Sequence, residues 1–239
     1  FTCEQERLLA RQSFWLYQAR ERVVGFGTSA PPGDAEGQRR LFLNAYPQLQ
    51  GKRLLLFLSR LHPKKGVDLL IEAFSAVAAR DSRLHLVIAG PDQVGWQAAL
   101  QRRAAELGIA HRLTWPGMLS GDFKWGAFRS AELFCLPSHQ ENFGIVVAEA
   151  LGCGLPVAIA QPVNISAEVE QAGAGLVHLD TATATTEALR QWVTLDHQKR
   201  LAMAGQALGQ FRAQFDFASV AKNLMSVLES AVTNQPVPG

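Results

Sequence analysis

Several features are scarce in this chain of 239 residues, and each absence excludes a class of protein. Basic residues outnumber acidic ones only by 23 to 21, and this net charge of +2 forms neither a basic stripe nor an acidic tail. No nucleic-acid partner is therefore expected. The longest apolar run, residues 145–160, is interrupted by Glu149, by two glycines and by Pro156. Such a run cannot span a bilayer.

Cysteine is also rare, with Cys3, Cys135 and Cys153 as the whole set. Their spacing fits neither a disulfide framework nor a metal site, and the last two lie in apolar runs. Buried free thiols in a reducing compartment are the interpretation, so we expect a cytoplasmic protein. Histidine and aspartate form no cluster with metal-ligand spacing, so neither a metal nor a cofactor is expected. The chain starts at Phe1, without a signal peptide, and we expect it to be a fragment.

What the sequence does contain is an alternation of short apolar runs with longer segments of helical period. Runs that lack polar alternation are typical of strands covered on both faces, and their alternation with helices predicts a parallel sheet. Strands are predicted at 53–59, 84–89, 113–115, 133–136, 157–160 and 176–179. Helices are predicted at 67–79, 97–107, 122–130, 144–151, 182–192, 196–215 and 217–232. The fold class is therefore α/β, a Rossmann-like doubly wound parallel sheet with a helical C-terminal tail.

The first 50 residues do not fit this layer. They begin with a helical pattern for which Thr2 is the predicted N-cap. The following "VVGFG" is a candidate strand, and "TSAPPGDAEG" is a turn-rich linker. We interpret this region as the end of one structural unit and a hinge, with a new unit starting near Lys52. The proline-containing tail, residues 235–239, is expected to be loose.

A basic loop, "SRLHPKKG", follows the first predicted strand and leads into a helix. Arg60, Lys64 and Lys65 converge there with the unpaired amides of a helix start, next to Gly66. A phosphate group is the ligand that this chemistry favours, gripped by the planar guanidinium and the compact ammonium. A solvated basic turn remains the alternative. The loop matches neither GxGxxG nor GxxxxGK[ST], so it contains neither a dinucleotide fingerprint nor a Walker loop.

A second loop, "PSHQENFG", precedes another helix and contains one of two glutamates that lie eight residues apart. Glu141 lies just before the predicted helix, and Glu149 lies in its second turn. Carboxylates there can accept hydrogen bonds from ligand hydroxyl groups, while the amides of Phe143 and Gly144 can hold a phosphate. The alternatives are a helix-capping acid for the first glutamate and an exposed helix position for the second.

Together these stretches resemble a known family. "LLFLSRLHPKKGVDLLIEAF" and "AELFCLPSHQENFGIVVAEALGCGLPVAIA" are similar to the C-terminal, donor-binding domain of retaining glycosyltransferases of group 1, family 4. The resemblance rests on the E-x7-E pair, Glu141 and Glu149, and on the R-x4-K-G motif of Arg60, Lys65 and Gly66. It implies a GT-B fold, in which two Rossmann-like domains enclose a cleft, and a sugar transferred from a nucleoside diphosphate to a glycan, lipid or small-molecule acceptor.

The resemblance also implies residue roles. Arg60 and Lys65 match the cations that bind the donor diphosphate, and Glu141 matches the acid that reads hydroxyls of the transferred sugar. These three are the expected catalytic residues. Glu149 matches the acceptor of ribose hydroxyl bonds, and the segment that ends at Met118 lies where the family holds the base. The full set of expected donor-binding residues is Gly66, Met118, Asn142, Phe143, Gly144, Ile145 and Glu149.

The implied domain organisation is incomplete. Residues 1–33 match a remnant of the N-terminal acceptor domain with its linker, 34–215 the donor domain, and 216–239 a crossing helix with its tail. Without the acceptor domain, we expect the isolated chain to bind a nucleotide sugar without turning it over and to self-associate. Peripheral membrane contact is expected through the absent domain.

Two departures from the family pattern concern the donor pocket. Ser59 stands where glycine is common, and no glycine pair precedes Glu168. The second departure leaves the identity of the sugar open. The alternative functions are a nucleotide-sugar-binding module, a phosphorylase or sugar-nucleotide epimerase on the same fold, and an NAD-binding module.

Overall fold

A six-stranded parallel sheet forms the centre of the structure, a computed structural model that describes residues 1–13 and 16–232. Its strand order is β3-β2-β1-β4-β5-β6. The strands are β1 (Arg53–Leu58), β2 (Leu84–Ala89), β3 (Leu113–Gly117), β4 (Ala131–Leu136), β5 (Val157–Ala160) and β6 (Gly175–His178). The helices are α1 (Glu4–Ser13), α2 (Ala35–Ala45), α3 (Val67–Ala78), α4 (Gln97–Glu106), α5 (Gly121–Ser130), α6 (Ile145–Gly152), α7 (Ser166–Gln171), α8 (Ala182–Thr194), α9 (His197–Gln210) and α10 (Phe217–Val232).

The sheet confirms the predicted doubly wound class. Each of the six strands predicted for the sheet is present, and no end of these strands moves by more than two residues. Strands β1 and β2 pair in register, from Arg53 opposite Leu84 to Leu58 opposite Ala89. Strands β2 and β5 are buried over their whole length, as expected for a parallel sheet with helices on both faces.

The helices pack in separate groups around this sheet. Helix α3 contacts α4 and α8, α6 contacts α9, and α2 packs along α5. The last pair approaches very closely, because a Cβ atom added at Gly126 would lie 2.3 Å from the carbonyl oxygen of Gln38 and 2.7 Å from Cβ of Phe42. Helix α5 is therefore held firmly by α2, which fixes the side chains that α5 contributes to the site described below.

The N-terminal region differs from the sequence prediction in two places. The "VVGFG" stretch forms no strand; the pairing nearest to it is an isolated bridge between Thr28 and Asp216. The predicted linker contains the start of a helix, since Asp34 caps α2 by accepting hydrogen bonds from the amides of Glu36 (3.1 Å) and Gly37 (3.0 Å). Helix α2 therefore precedes Lys52, the residue near which a new unit was predicted to start, and that boundary stays a prediction. The cap was missed from the sequence because turn-forming residues dominate the composition of the segment around Asp34.

Two further details of the helices were predicted wrongly. Thr2 is a hydrogen-bond donor, because its amide and its hydroxyl both bond to Oε2 of Glu6 at 2.7 Å. Helix α1 begins at Glu4, and the carboxylate of Glu6 reaches back to accept both bonds from Thr2. In the predicted cap, the side chain of Thr2 would be the acceptor. The short helix α7 had no counterpart in the prediction. The single predicted helix at 196–215 is α9, continued by a π-helical turn at Phe211–Phe215.

Residues before α2 pack against the C-terminal end of the described chain. The amide of Thr28 donates to the carbonyl of Phe215 (2.9 Å), and Nδ2 of Asn223 donates to the carbonyl of Val24 (2.8 Å). Helix α10 exposes about half of several apolar side chains, including Phe217 and Met225. The domain boundaries at 33/34 and 215/216 and the self-association stay predictions. The tail at 235–239 lies outside the described residues.

No candidate membrane-spanning helix is present in the described part of the chain. Within residues 1–13 and 16–232, no helix combines the length and the apolar character that a membrane crossing requires. The peripheral membrane contact and the cytoplasmic location stay predictions.

Candidate functional site

The order of the strands reverses between β1 and β4, which are neighbours in the sheet although two other strands separate them in sequence. Ligands of open parallel sheets bind outside the carboxyl ends of the strands at such a switch point. The two loops that the sequence singled out follow these two strands. Residues 59–66 follow β1, and residues 137–144 follow β4. The fold therefore brings the basic loop and the first glutamate to one place.

The loop after β1 is shaped by a short helical turn, Pro63–Lys65. Nδ1 of His62 accepts a hydrogen bond from the amide of Lys64 at 3.1 Å and so caps this turn. Gly66 then adopts a left-handed conformation, with φ of 66°, and starts α3. The turn buries Lys65, which is only 8% exposed, while Arg60 stays exposed and donates to Oε1 of Gln93 at 3.2 Å.

The two loops are docked on each other. The carbonyl oxygen of Lys64 accepts hydrogen bonds from the amide of His139 and from the hydroxyl of Ser138, both at 2.9 Å. A Cβ atom at Gly66 would lie 2.1 Å from the carbonyl oxygen of Pro137. Only glycine fits at this close approach, whatever its φ angle. The basic loop thus has a fixed position relative to the loop of Glu141.

The loop after β4 is anchored on its other side by the connection between β5 and α7. The amide of Glu141 donates to the carbonyl of Pro162 (3.1 Å), and its carbonyl accepts from the amide of Asn164 (3.0 Å). Gly144, with φ of 79°, then reverses the chain into α6. The amides of Ile145 and Val146 find no acceptor among the described residues, as is usual for the first turn of a helix. They are available to an anion.

Each of the two glutamates is paired with a lysine. Nζ of Lys65 forms a short ion pair with Oε2 of Glu141, and the two side chains are 10% and 22% exposed. Nζ of Lys124, on α5, lies 2.8 Å from Oε1 of Glu149, on α6. Both pairs cross between elements that are distant in sequence. The site therefore contains two lysine–glutamate pairs whose members are brought together by the fold rather than by proximity in sequence.

These groups line a common cavity of about 420 Å³. Its walls include Arg60, Lys65, Glu141 and Glu149 together with the first turn of α6. A second cavity of about 400 Å³ shares the first three of these residues and is otherwise lined by polar side chains, among them that of Asn142. The Lys65–Glu141 pair therefore stands between two spaces, one next to Glu149 and one next to Asn142.

The remaining predicted residues divide into three groups. Gly144 and Ile145 line the cavity beside Glu149. Phe143 is buried and makes edge-to-face contacts with Phe26 (5.2 Å between ring centroids) and Phe215 (5.7 Å), so its side chain anchors the loop. Met118 follows β3 and is 72% exposed; it lines neither of the two cavities. Met118 therefore does not share a cavity wall with Arg60, Lys65 and Glu141.

Sequence reasoning missed Lys124. The residue belongs to "DFKW" in α5, which matches no motif, and only the tertiary fold brings its ammonium group to Glu149 on α6. Its exposed fraction, 22% for the side chain, is low for lysine. The signal available in the sequence is a single cation between two aromatic residues, Phe123 and Trp125. That signal carries no information about the partner.

Metal ligands are not gathered at this site. Within the described residues, no group of three or more histidine, cysteine, aspartate or glutamate side chains is placed to hold a metal ion. The cysteines are free thiols, and burial raises the pKa of Cys153 to about 11. The expectation that no metal and no cofactor take part stays a prediction.

Comparison with known proteins decides the family. The model for glycosyl transferases group 1 matches residues 39–208, a range that includes both loops, α5 and α6. The chain belongs to this family. A relative from Thermobispora bispora, named D-inositol 3-phosphate glycosyltransferase, is 32% identical over 244 residues, which cover 93% of this chain and 54% of the relative. The group 1 chain therefore spans about half the length of that relative.

Solved structures agree with this assignment at the level of the fold. Sucrose-phosphate synthase of Thermosynechococcus elongatus superposes with a TM-score of 0.79 at 20% identity, over 98% of this chain and 58% of that protein. HepE of Anabaena, solved in complex with UDP and glucose, gives a TM-score of 0.74 at 21% identity, over 87% of this chain and 56% of that protein. The fold class predicted for this group 1 chain is confirmed. The roles of individual residues stay predictions.

Proposed function

We propose that this chain is the donor-binding half of a glycosyltransferase that moves a sugar, with retention of configuration, from a nucleoside diphosphate to an acceptor. One observation carries the proposal. Arg60, Lys65, Glu141 and Glu149 come from two loops and a helix, yet they line one cavity at the switch point of the sheet. Membership of the glycosyl transferases group 1 family supports the same reaction class.

The cations suit the leaving group of this reaction. Cleavage of the bond between sugar and diphosphate builds positive character on the anomeric carbon and negative charge on the departing phosphate. In the proposed mechanism Arg60 grips the diphosphate through its planar fork, and Lys65 supplies a compact charge from a buried position. The free amides of Ile145 and Val146 add two more donors. Fixed donors of this kind stabilise developing charge without reorganisation.

The carboxylates suit the two hydroxyl-bearing parts of the donor. Glu149 lies at the end of the cavity formed by α6, and we assign it the ribose hydroxyls. Glu141 and Asn142 both line the second cavity, on the other side of the Lys65–Glu141 pair, and we assign them the transferred sugar. The proposed donor therefore lies across this pair, with its diphosphate at Lys65. Met118 lines neither cavity, so a contact with the base requires a nucleotide that extends beyond them.

The acceptor would bind opposite this surface. The proposed acceptor site belongs to the half of the longer relatives that this chain does not match. The name of the Thermobispora bispora relative makes a phosphorylated inositol one acceptor class to test, and glycans and lipids are others. The complex of HepE makes UDP the first nucleotide to test.

The test is a calorimetric titration of the 239-residue chain with UDP, GDP, ADP, the matching nucleosides and NAD. We expect Arg60→Ala and Lys65→Ala to weaken the preferred diphosphate by about tenfold or more, since a charged hydrogen bond contributes roughly 1.5–3 kcal/mol. Lys199→Ala, which removes an exposed lysine of α9, is the matched control and should change nothing. Equal losses for nucleoside and diphosphate would contradict the phosphate assignment, and preferential binding of NAD would favour the dinucleotide alternative.

A further inference from the structure

Lys124 occupies an unusual position for a helix lysine. Its Nζ atom contacts Oε1 of Glu149 at 2.8 Å and lies 4.3 Å from the centroid of the Trp125 ring. The side chain is 22% exposed and lines the same cavity as Arg60 and Lys65. A lysine that only solvates a helix face would extend into water instead. Two specific contacts hold this ammonium group beside the glutamate.

Helix α5 is a rigid support for that ammonium group. The close approach at Gly126 locks α5 against α2, as described above. One turn earlier, Oδ1 of Asp122 accepts a hydrogen bond from Nε2 of Gln38 at 2.7 Å. Trp125, the neighbour of Lys124, is buried, and Phe128 of the same helix packs against Phe134 of β4, with 5.9 Å between ring centroids. The backbone that carries Lys124 is therefore fixed from both sides, and a support shell of this kind holds a binding group in one geometry.

The contact with Lys124 uses only one of the two carboxylate oxygens of Glu149. Oε1 is occupied by Lys124, whereas Oε2 accepts no hydrogen bond from any described residue. A carboxylate that is held at one oxygen presents the other in a defined direction to a hydroxyl group of a ligand. The same contact offsets the charge of Glu149 in a cavity that must accept an anion. Without it, the carboxylate would face the diphosphate as an uncompensated negative charge.

We propose that Lys124 is the positioning residue of the ribose subsite: it orients Glu149 and neutralises its charge, so that ribose hydroxyls and a diphosphate can be bound together. This inference rests on the proposed function, because it takes the ligand of Glu149 to be the ribose of the donor. It assigns Lys124 no contact with the reacting atoms. Its ammonium group acts through the glutamate.

The experiment compares three probes on the full chain: the diphosphate that binds best among UDP, GDP and ADP, its 2′,3′-dideoxy analogue, and inorganic pyrophosphate. In the unaltered chain we expect the ribose form to bind about tenfold more tightly than the dideoxy form. Lys124→Met should reduce this ratio to below about threefold, whereas Lys124→Arg should keep most of it. Adding Lys124→Met to Glu149→Gln should leave the ratio unchanged, because both substitutions remove the same interaction. Lys199→Met is the control for loss of one charge.

The outcomes separate this inference from the proposed function. If no nucleotide binds the unaltered chain, the proposed function fails first. If nucleotides bind and respond to Arg60→Ala but Lys124→Met keeps the full ribose ratio, the inference alone is wrong. If Lys124→Met weakens the ribose form, the dideoxy form and pyrophosphate equally, the ribose ratio is unchanged and the positioning role is refuted; Lys124 then acts only through charge. Thermal melting of each variant checks folding, and the arginine variant provides the decisive comparison should the methionine variant melt early.

Discussion

Gly66 is the point at which the two loops of the site touch, so its replacement by alanine tests the architecture directly. Two separate penalties apply to Gly66→Ala. Its φ of 66° is left-handed, a conformation that costs a residue with a Cβ atom about 1–2 kcal/mol. The added methyl carbon would also lie 2.1 Å from the carbonyl oxygen of Pro137, more than 1 Å closer than the ordinary contact distance of about 3.4 Å. The two loops must therefore separate.

A matched control isolates the second penalty. Gly51 has a similar φ of 72°, but a Cβ atom there would have nothing within 4 Å. Gly51→Ala should therefore cost only the conformational term, about 1–2 kcal/mol. Gly66→Ala should cost about 1–3 kcal/mol more, the usual penalty for an overpacked site. For a chain of this size, that difference corresponds to a melting temperature lower by about 2–12 °C.

The assay is thermal and urea unfolding of both variants, followed by titration with the preferred nucleoside diphosphate. Separation of the loops moves Lys65 away from Glu141, so Gly66→Ala should also weaken the diphosphate, while Gly51→Ala should leave its affinity unchanged. Equal stability and equal affinity of the two variants would refute the close approach of the loops. A loss of stability without a loss of affinity would refute the link between this contact and the site.

Two other perturbations probe charged groups. Glu141→Gln releases Lys65 from its ion pair, so we expect a nucleoside diphosphate to bind roughly 2–10-fold more tightly and the attached sugar to add less affinity than before; weaker diphosphate binding in calorimetry would contradict this. Burial lowers the pKa of His85, which bonds to the hydroxyl of Thr114, to about 4. Because the imidazole takes up a proton near pH 6.5 in the unfolded state but only near pH 4 in the folded state, the free energy of unfolding should be about 2 kcal/mol lower at pH 5 than above pH 6.5. His85→Gln should remove this part of the pH dependence measured by urea unfolding, and a variant of the exposed His197 should not.

The fold was predictable because the strands are short, apolar and buried on both faces. Their signal comes from local composition, and the parallel order follows from general rules of connection. The failures occurred where a tertiary contact overrides a local signal. The glycine-rich "VVGFG" stretch has strand composition but lies beside α10, and the nearest β-bridge within the described residues joins Thr28 to Asp216. The start of α2 was concealed by turn-forming residues, although Asp34 is a regular cap.

From spacing alone, the site was predictable only as two separate loops, and it was the resemblance to group 1 glycosyltransferases that joined them. Spacing indicated that Arg60 and Lys65 precede a helix and that Glu141 precedes another, but it could not show that the strands before them are neighbours. Strand order depends on the packing of the whole sheet and leaves no mark in either loop. Lys124 shows the same limit more sharply, because a lysine in a helix without a motif becomes a site residue only when the fold brings its side chain to Glu149.

The two lysine–glutamate pairs have different consequences for binding. Lys124 occupies one oxygen of Glu149 and leaves the other free, so a hydroxyl group can bind without breaking the pair. Lys65 is buried between two cavities with Glu141 as its partner, so in the proposed binding mode a diphosphate at Lys65 competes with that carboxylate for the ammonium group. Such competition would release Glu141 when the diphosphate arrives. If the sugar hydroxyls then bond to the released carboxylate, recognition of the two parts of the donor is coupled, because one binds the group that the other sets free. A nucleoside without phosphates cannot cause this release, so sugar recognition in this site should require the diphosphate.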